Sequence, residues 1–147
     1  MGTVKPTGPP IGLQLAATAK AVSRAFNAAL ADAGGSLPTW LILTSLRGER
    51  WRTQQELARS LGIEGPTLTR HLDSLERAGL VERRREPSDR RAVQVELTKA
   101  GEAVHRRLRT NVIAFDQRLR AGLGDAELNR LRATLRRLEQ NSARREP

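Results

Sequence analysis

The chain has 147 residues, with 26 Lys and Arg against 16 Asp and Glu, a formal net charge of +10 and no cysteine. At this length roughly 68–70% of the extended chain's surface leaves water on folding, so one domain with an ordinary apolar core is expected over residues 11–147. The missing cysteines exclude disulfide scaffolds, cysteine-rich zinc sites and redox sensing through thiols, and they fit a reducing, cytoplasmic setting. The most apolar stretch, around Trp40 to Leu43, falls far short of the ~20 residues that a membrane-spanning helix needs. Residues 1–10 are rich in Gly and Pro and contain no apolar h-region, so a flexible arm is expected there rather than a signal peptide.

A positive excess concentrates polyanions, whether a nucleic acid or another anionic surface. Arg83, Arg84, Arg85, Arg90 and Arg91 fall within nine positions, and Arg106, Arg107 and Arg109 form a second group. A solvated helix face or loop carries such runs too. Their meaning depends on the elements around them.

In chain order, Ile11, Leu15, Ala19, Val22, Phe26 and Leu30 recur at helical spacing, and Gly34-Gly35 ends that stripe. Ser36 is placed to cap a second helix with Pro38 in its first turn and Trp40, Leu43 and Leu46 on one side. Thr53-Gln54-Gln55-Glu56 has the form of a capping box and opens a short helix through Leu57, Ala58 and Leu61. Gly62 to Gly65 reads as a turn into a fourth helix, starting at Pro66 and bearing Leu68, Leu72, Leu75 and Ala78. Two short helices joined by a glycine-containing turn form a helix-turn-helix pattern. Leu80 to Arg85 and Ala92 to Leu97 then read as strands of a hairpin turning at Glu86-Pro87-Ser88-Asp89. Thr98 is an N-cap for a long helix striped by Ala100, Val104, Leu108, Val112, Phe115 and Leu119. Asp125 is expected to cap the last helix, with Leu128, Leu131, Leu135 and Leu138 on one face and Arg130, Arg132, Arg136 and Arg137 on the other.

A helix-turn-helix followed by a basic hairpin has the outline of a winged helix. In that geometry the fourth helix enters the major groove by its N-terminal end, where Thr67 and Thr69 allow close approach and Arg70 reaches a base edge or phosphate. The hairpin tip, with Arg90 and Arg91, lies over the minor groove, whose narrow form attracts guanidinium groups. The alternatives are ordinary solvent-facing polarity for the threonines and ion pairs to Asp89 or Glu86 for the arginines.

Several segments resemble one family in this order and spacing. They are Ser36-Leu37-Pro38-Thr39-Trp40, Glu56-Leu57-Ala58 before Leu61-Gly62-Ile63, Thr67-Leu68-Thr69-Arg70, Leu75-Glu76-Arg77-Ala78-Gly79-Leu80-Val81, and Asp89-Arg90-Arg91 through Leu97-Thr98, with Gly101 beyond. Together they resemble the MarR family, the multiple antibiotic resistance regulators, from about Ile11 to Leu138. The resemblance implies a mainly α fold with a small β-hairpin wing. Residues 36–98 would form the winged helix-turn-helix lobe, and 11–33 and 99–140 the dimerisation helices of a homodimer. It implies double-stranded DNA as partner, with Pro66, Thr67, Thr69 and Arg70 at the recognition-helix contact positions. Arg91, with Arg90 beside it, falls on the minor-groove wing, and Asp89 orients an arginine. The apolar stripes of the outer helices agree with a dimer, and a single-chain core would explain them equally well.

The turn departs from the family pattern. Glu64 and Gly65 stand where a small hydroxyl cap and a polar residue are usual, and Pro66 removes a backbone donor. Regulators of this resemblance commonly bind a small anionic aromatic ligand beside the dimer helices. Phe26, Trp40, Thr44 and Trp51 are the candidates here, and each also suits a core. The function implied is a sequence-specific repressor of a pseudo-palindromic operator, relieved by such a ligand. A sequence-tolerant architectural DNA-binding protein is the alternative. His71 and His105 sit in no H-E-x-x-H or Ser-His-Asp arrangement, and there is no Gly-rich phosphate loop, so no enzymatic activity, metal or cofactor is expected.

Overall fold

The structure, a computed structural model, describes residues 8–48 and 53–144, without the side chains of Glu86, Asp89, Arg90, Arg91 and Ala92. Its elements are α1 (Ile11–Asp32), α2 (Leu37–Gly48), α3 (Gln54–Leu61), α4 (Gly65–Arg77), β1 (Val81–Glu86), β2 (Asp89–Leu97), α5 (Lys99–Leu119) and α6 (Asp125–Ala143). This is the order that the hydrophobic spacing predicts. The expected N-terminal arm lies largely outside the described residues.

Helix ends follow their capping chemistry. Ser36 Oγ accepts from Thr39 N at 3.3 Å, and Thr53 Oγ1 accepts from Glu56 N at 3.1 Å, the forward half of the capping box. α3 stops at Gly62, whose φ of 63° is left-handed, and Ile63 N then donates to Ala58 O at 3.0 Å. The last helix differs from expectation. Gly124 occupies the cap position and Asp125 is the first helical residue. The Asp125 carboxylate lies 3.6 Å from Arg120 instead of bonding the backbone, and in the first turn it still complements the helix dipole.

The chain forms two compact units, one ending at Val112 and the other beginning at Ile113. The first has a continuous core in which Leu30, Ile42, Leu43, Leu57, Leu68, Leu72, Val81 and Leu108 are almost completely buried. Every element from α1 to α5 except β2 supplies at least one of these, while Val95 and Leu97 of β2 pack against the cluster. Burying a residue of this size contributes about 1.5–3 kcal/mol. A Cβ on Gly35 would lie 2.5 Å from Leu108 Cδ2, so a residue with no side chain lets the corner between α1 and α2 close on α5. Gly101 is more tightly placed, since a Cβ there would run into the Leu80 carbonyl oxygen.

The hairpin is antiparallel, with Val81 opposite Leu97, Arg83 opposite Val95 and Arg85 opposite Val93. β1 starts one residue later than expected because Leu80 belongs to the turn that closes α4, where its N–H donates to Leu75 O at 2.9 Å. β2 starts three residues earlier. The register jumps from Arg85↔Val93 to Glu86↔Asp89, leaving Arg90, Arg91 and Ala92 as extra residues on β2. An insertion of this kind bends a strand and increases its twist.

Candidate nucleic-acid interface

Leu68, Leu72 and Leu75 anchor α4 in the core. Helical spacing then leaves Pro66, Thr69 and Arg70 exposed at its N-terminal end, with Thr67 half-buried. Thr69 Oγ1 donates to Gly65 O at 3.0 Å, which commits its proton to the helix and leaves its lone pairs and methyl group outward. Arg70 has no ion-pair partner among the described residues. Glu64 stands at the cap position without a side-chain hydrogen bond to the helix, as the departure at Glu64-Gly65 leads one to expect. α4 itself starts one residue before Pro66.

The arginines of β1 do not act alike. Strand alternation places Arg83 on the same face as buried Val81, and its guanidinium turns to α4. Nη2 contacts Asp73 Oδ1 at 2.5 Å and Thr69 O at 3.4 Å, while Nε lies 3.5 Å from Glu76 Oε2 without hydrogen-bond geometry. Arg84 is exposed and pairs with Glu82 at 3.3 Å. Arg85 is exposed. The backbone of Asp89, Arg90 and Arg91 lies in β2 at the register jump, and their side chains fall outside the description.

The hairpin and α4 are also tied through Thr98. Its Oγ1 donates to Gly79 O at 2.6 Å and accepts from Gly101 N at 3.0 Å, linking the end of α4 to the start of α5.

Of the four ligand candidates, Trp40 and Thr44 meet at His105, which the sequence pattern does not link to them. His105 is a buried polar residue, 3% exposed. Its ring stacks on Trp40 with centroids 5.1 Å apart, its Nε2 lies 3.3 Å from Thr44 Oγ1, and its Nδ1 lies 3.4 Å from Arg47 Nη1. A guanidinium only donates, so Nδ1 is the acceptor and the proton resides on Nε2, facing Thr44. Burial pushes the His105 pKa down, and Arg47, Arg109 and Arg106 add to that against the opposing charge of Glu102. Arg47 in turn pairs with Glu102 at 3.5 Å. The helical spacing of Gly101, His105, Leu108 and Val112 was the available signal for His105, since it continues the inward face of α5. Phe26, like Trp40, packs against the core. Trp51 lies outside the described residues.

No helix among the described residues is long and apolar enough to cross a membrane. The MarR family model matches residues 36–93. Among solved structures, the transcriptional regulator PA3341 is 34% identical, with a TM-score of 0.73, 92% of this chain covered and all of that one. The transcriptional repressor CouR, bound to a 23-mer DNA duplex, is 30% identical with a TM-score of 0.79, over 88% of this chain and 92% of its own. CouR from Rhodococcus jostii RHA1 has also been solved bound to p-coumaroyl-CoA, and matches at 28% identity with a TM-score of 0.72, over 87% and 90% of the two chains. A mutant of MarR from E. coli complexed with operator DNA matches at 29% identity and a TM-score of 0.76, over 88% and 93%. A helix-turn-helix whose second helix is anchored from behind, a basic hairpin docked to it, and this similarity along nearly the whole chain together place the protein in the MarR family of transcription regulators.

Proposed function

We propose that the chain is a homodimeric, sequence-specific repressor that grips a pseudo-palindromic operator and releases it on binding a small ligand. The observation that carries this reading is the N-terminal end of α4. There Pro66, Thr69 and Arg70 are exposed while Leu68 and Leu72 hold the helix rigidly from behind. Thr67, Thr69 and Arg70 read base edges or phosphate in the major groove. Arg90 and Arg91 reach the minor groove, with Asp89 orienting one of them. The similarity to CouR and MarR, both solved with DNA, supports this docking.

Residues 36–98 form the DNA-binding lobe in this reading, and 11–33 with 99–140 the dimerisation segments. Ile11 and Leu13 of α1, Leu119 of α5, and Leu131 and Leu135 of α6 are exposed apolar side chains of the kind a second copy would cover. For the ligand, the stacked Trp40 and His105 with Arg47 beside them suit an anionic aromatic group, and the CouR complex with p-coumaroyl-CoA favours that class. Selection of bound DNA from a random pool, followed by footprinting, tests the reading. It expects a symmetric site with half-site centres about one helical turn apart. The net charge of +10 favours a second reading, sequence-blind phosphate binding, in which the selected pool stays random and affinity falls steeply with salt.

A further inference from the structure

We propose that Arg83 is a positioning residue for sequence readout. It sets the wing against the recognition helix, and so the spacing between the major-groove and minor-groove readers, without itself contacting DNA. The inference rests on the DNA-binding reading above.

Three observations carry it. The Arg83 guanidinium touches Thr69 O, Asp73 and Glu76, which lie at i, i+4 and i+7 along one face of α4. Its side chain is only 21% exposed, whereas that of Arg84, on the opposite face of the same strand, is 70% exposed. Thr69 itself belongs to the reading end of α4, so the contact starts within the reader and ends in the wing.

Chemistry explains why an arginine occupies this place. A two-stranded hairpin is marginally stable alone and takes its orientation from what it packs against. Val81, with Val95 and Leu97 packed against the core and Thr98 bonded to Gly79, anchors the base of the wing, but apolar contact at the base is non-directional and leaves the angle of the strands beyond it less tightly set. The Arg83 guanidinium bonds Asp73 and Thr69 O through Nη2 and lies beside the Glu76 carboxylate, and attachment at three positions along one face of α4 restricts that freedom. An ammonium carries the same charge as a compact point, without the breadth of the planar guanidinium. The guanidinium is already occupied by two acidic partners, so it has little left to offer a phosphate.

The test measures affinity for the selected operator and for random DNA across a range of salt, for wild type, Arg83→Met, Arg83→Lys and Asp73→Asn/Glu76→Gln. For Arg83→Met, the ratio of operator to random-DNA affinity is expected to fall at least about tenfold, the scale of one mismatched base pair. Its salt slope stays at the wild-type value, whereas loss of one phosphate contact lowers that slope by about 0.9. Arg83→Lys shows the same loss of preference despite keeping the charge. The carboxylate variant is decisive in sign. Removing two negative charges strengthens binding to random DNA, yet the preference for the operator falls.

Unchanged preference in the carboxylate variant, or full rescue by Arg83→Lys with a reduced slope in Arg83→Met, would overturn the proposal. A wild type without any sequence preference would instead overturn the DNA-reading function on which it rests. Should Arg83→Met not fold, the carboxylate variant, nearly isosteric with wild type, still decides the matter.

Discussion

The indole of Trp40 lies flat against the imidazole of His105, with the ring planes 10° from parallel. This stack joins α2 to α5. The Arg47 and Thr44 contacts on either side of the ring hold it in one neutral tautomer. The groups facing it are Trp40, Thr44 and Arg47 from α2, and Glu102, Arg106 and Arg109 from its own helix. An unfolded histidine takes up a proton near pH 6.5, and folded His105 does so only at lower pH because burial opposes the charge. Its contribution to stability is therefore complete above about pH 6.5 and is lost as the pH falls through the folded pKa. Urea unfolding midpoints between pH 7.5 and 5.5 are expected to drop more steeply for wild type than for His105→Gln. Parallel curves would remove this account.

Gly101→Ala is expected to destabilise the fold toward the upper part of the ~1–3 kcal/mol range for overpacking. The added methyl group meets the Leu80 carbonyl oxygen, a backbone atom that cannot rotate away. Thermal unfolding measures it. A midpoint within a degree of wild type would show that the start of α5 shifts freely.

Thr98→Val keeps the shape of the side chain and removes both hydroxyl interactions, one with Gly79 O and one with Gly101 N. The expected loss is about 1–2 kcal/mol, the scale of an N-cap together with one further hydrogen bond. Chemical denaturation at neutral pH tests this, with Thr110→Val as the exposed control.

Leu131 and Leu135 are 47% and 40% exposed on α6, one turn apart. In a homodimer this pair is covered by the second copy. The double variant Leu131→Glu/Leu135→Glu is then expected to sediment as a monomer at concentrations where wild type is a dimer. Its operator affinity falls because one half-site no longer helps the other. A wild type that sediments as a monomer at every concentration tested would rule out the proposed dimer.

Arg70 is exposed and has no ion-pair partner among the described residues. Arg70→Ala is expected to cost roughly 1–3 kcal/mol of operator affinity if it reads a base, with altered preference at one position of each half-site. A uniform loss on all sequences would reassign it to phosphate.

Much of the fold was legible because local chemistry and long-range packing agree here. Ser36, Thr53 and Thr98 each cap the helix that follows them, and Leu68, Leu72 and Leu75 have the phase that turns Thr69 and Arg70 outward. The hairpin limits were less legible. Leu80 has the composition of a strand residue, but its backbone is claimed by the end of α4. In the sequence Arg83 looks like its neighbours Arg84 and Arg85. The strand phase set by buried Val81 separates Arg83 from Arg84, but Arg85 shares that phase and is exposed, so what singles out Arg83 is its contact with Asp73 and Glu76 on α4. The His105 cluster was hidden for a different reason. Its partner Thr44 is 61 positions away, and no local pattern reports a contact at that distance.

The hairpin has one more consequence. Five of the six residues of β1 are charged, and the bonding rhythm of β2 is interrupted by three inserted residues. Among the described residues β1 pairs with β2 alone, and an outer rim of this kind can pair with a stranger's backbone, the usual start of fibrous aggregation. A second copy of β1 laid antiparallel on that rim and centred on Arg84 would bring like charges into contact. The feature that shapes the wing should therefore also keep a concentrated solution of this protein from joining edge to edge.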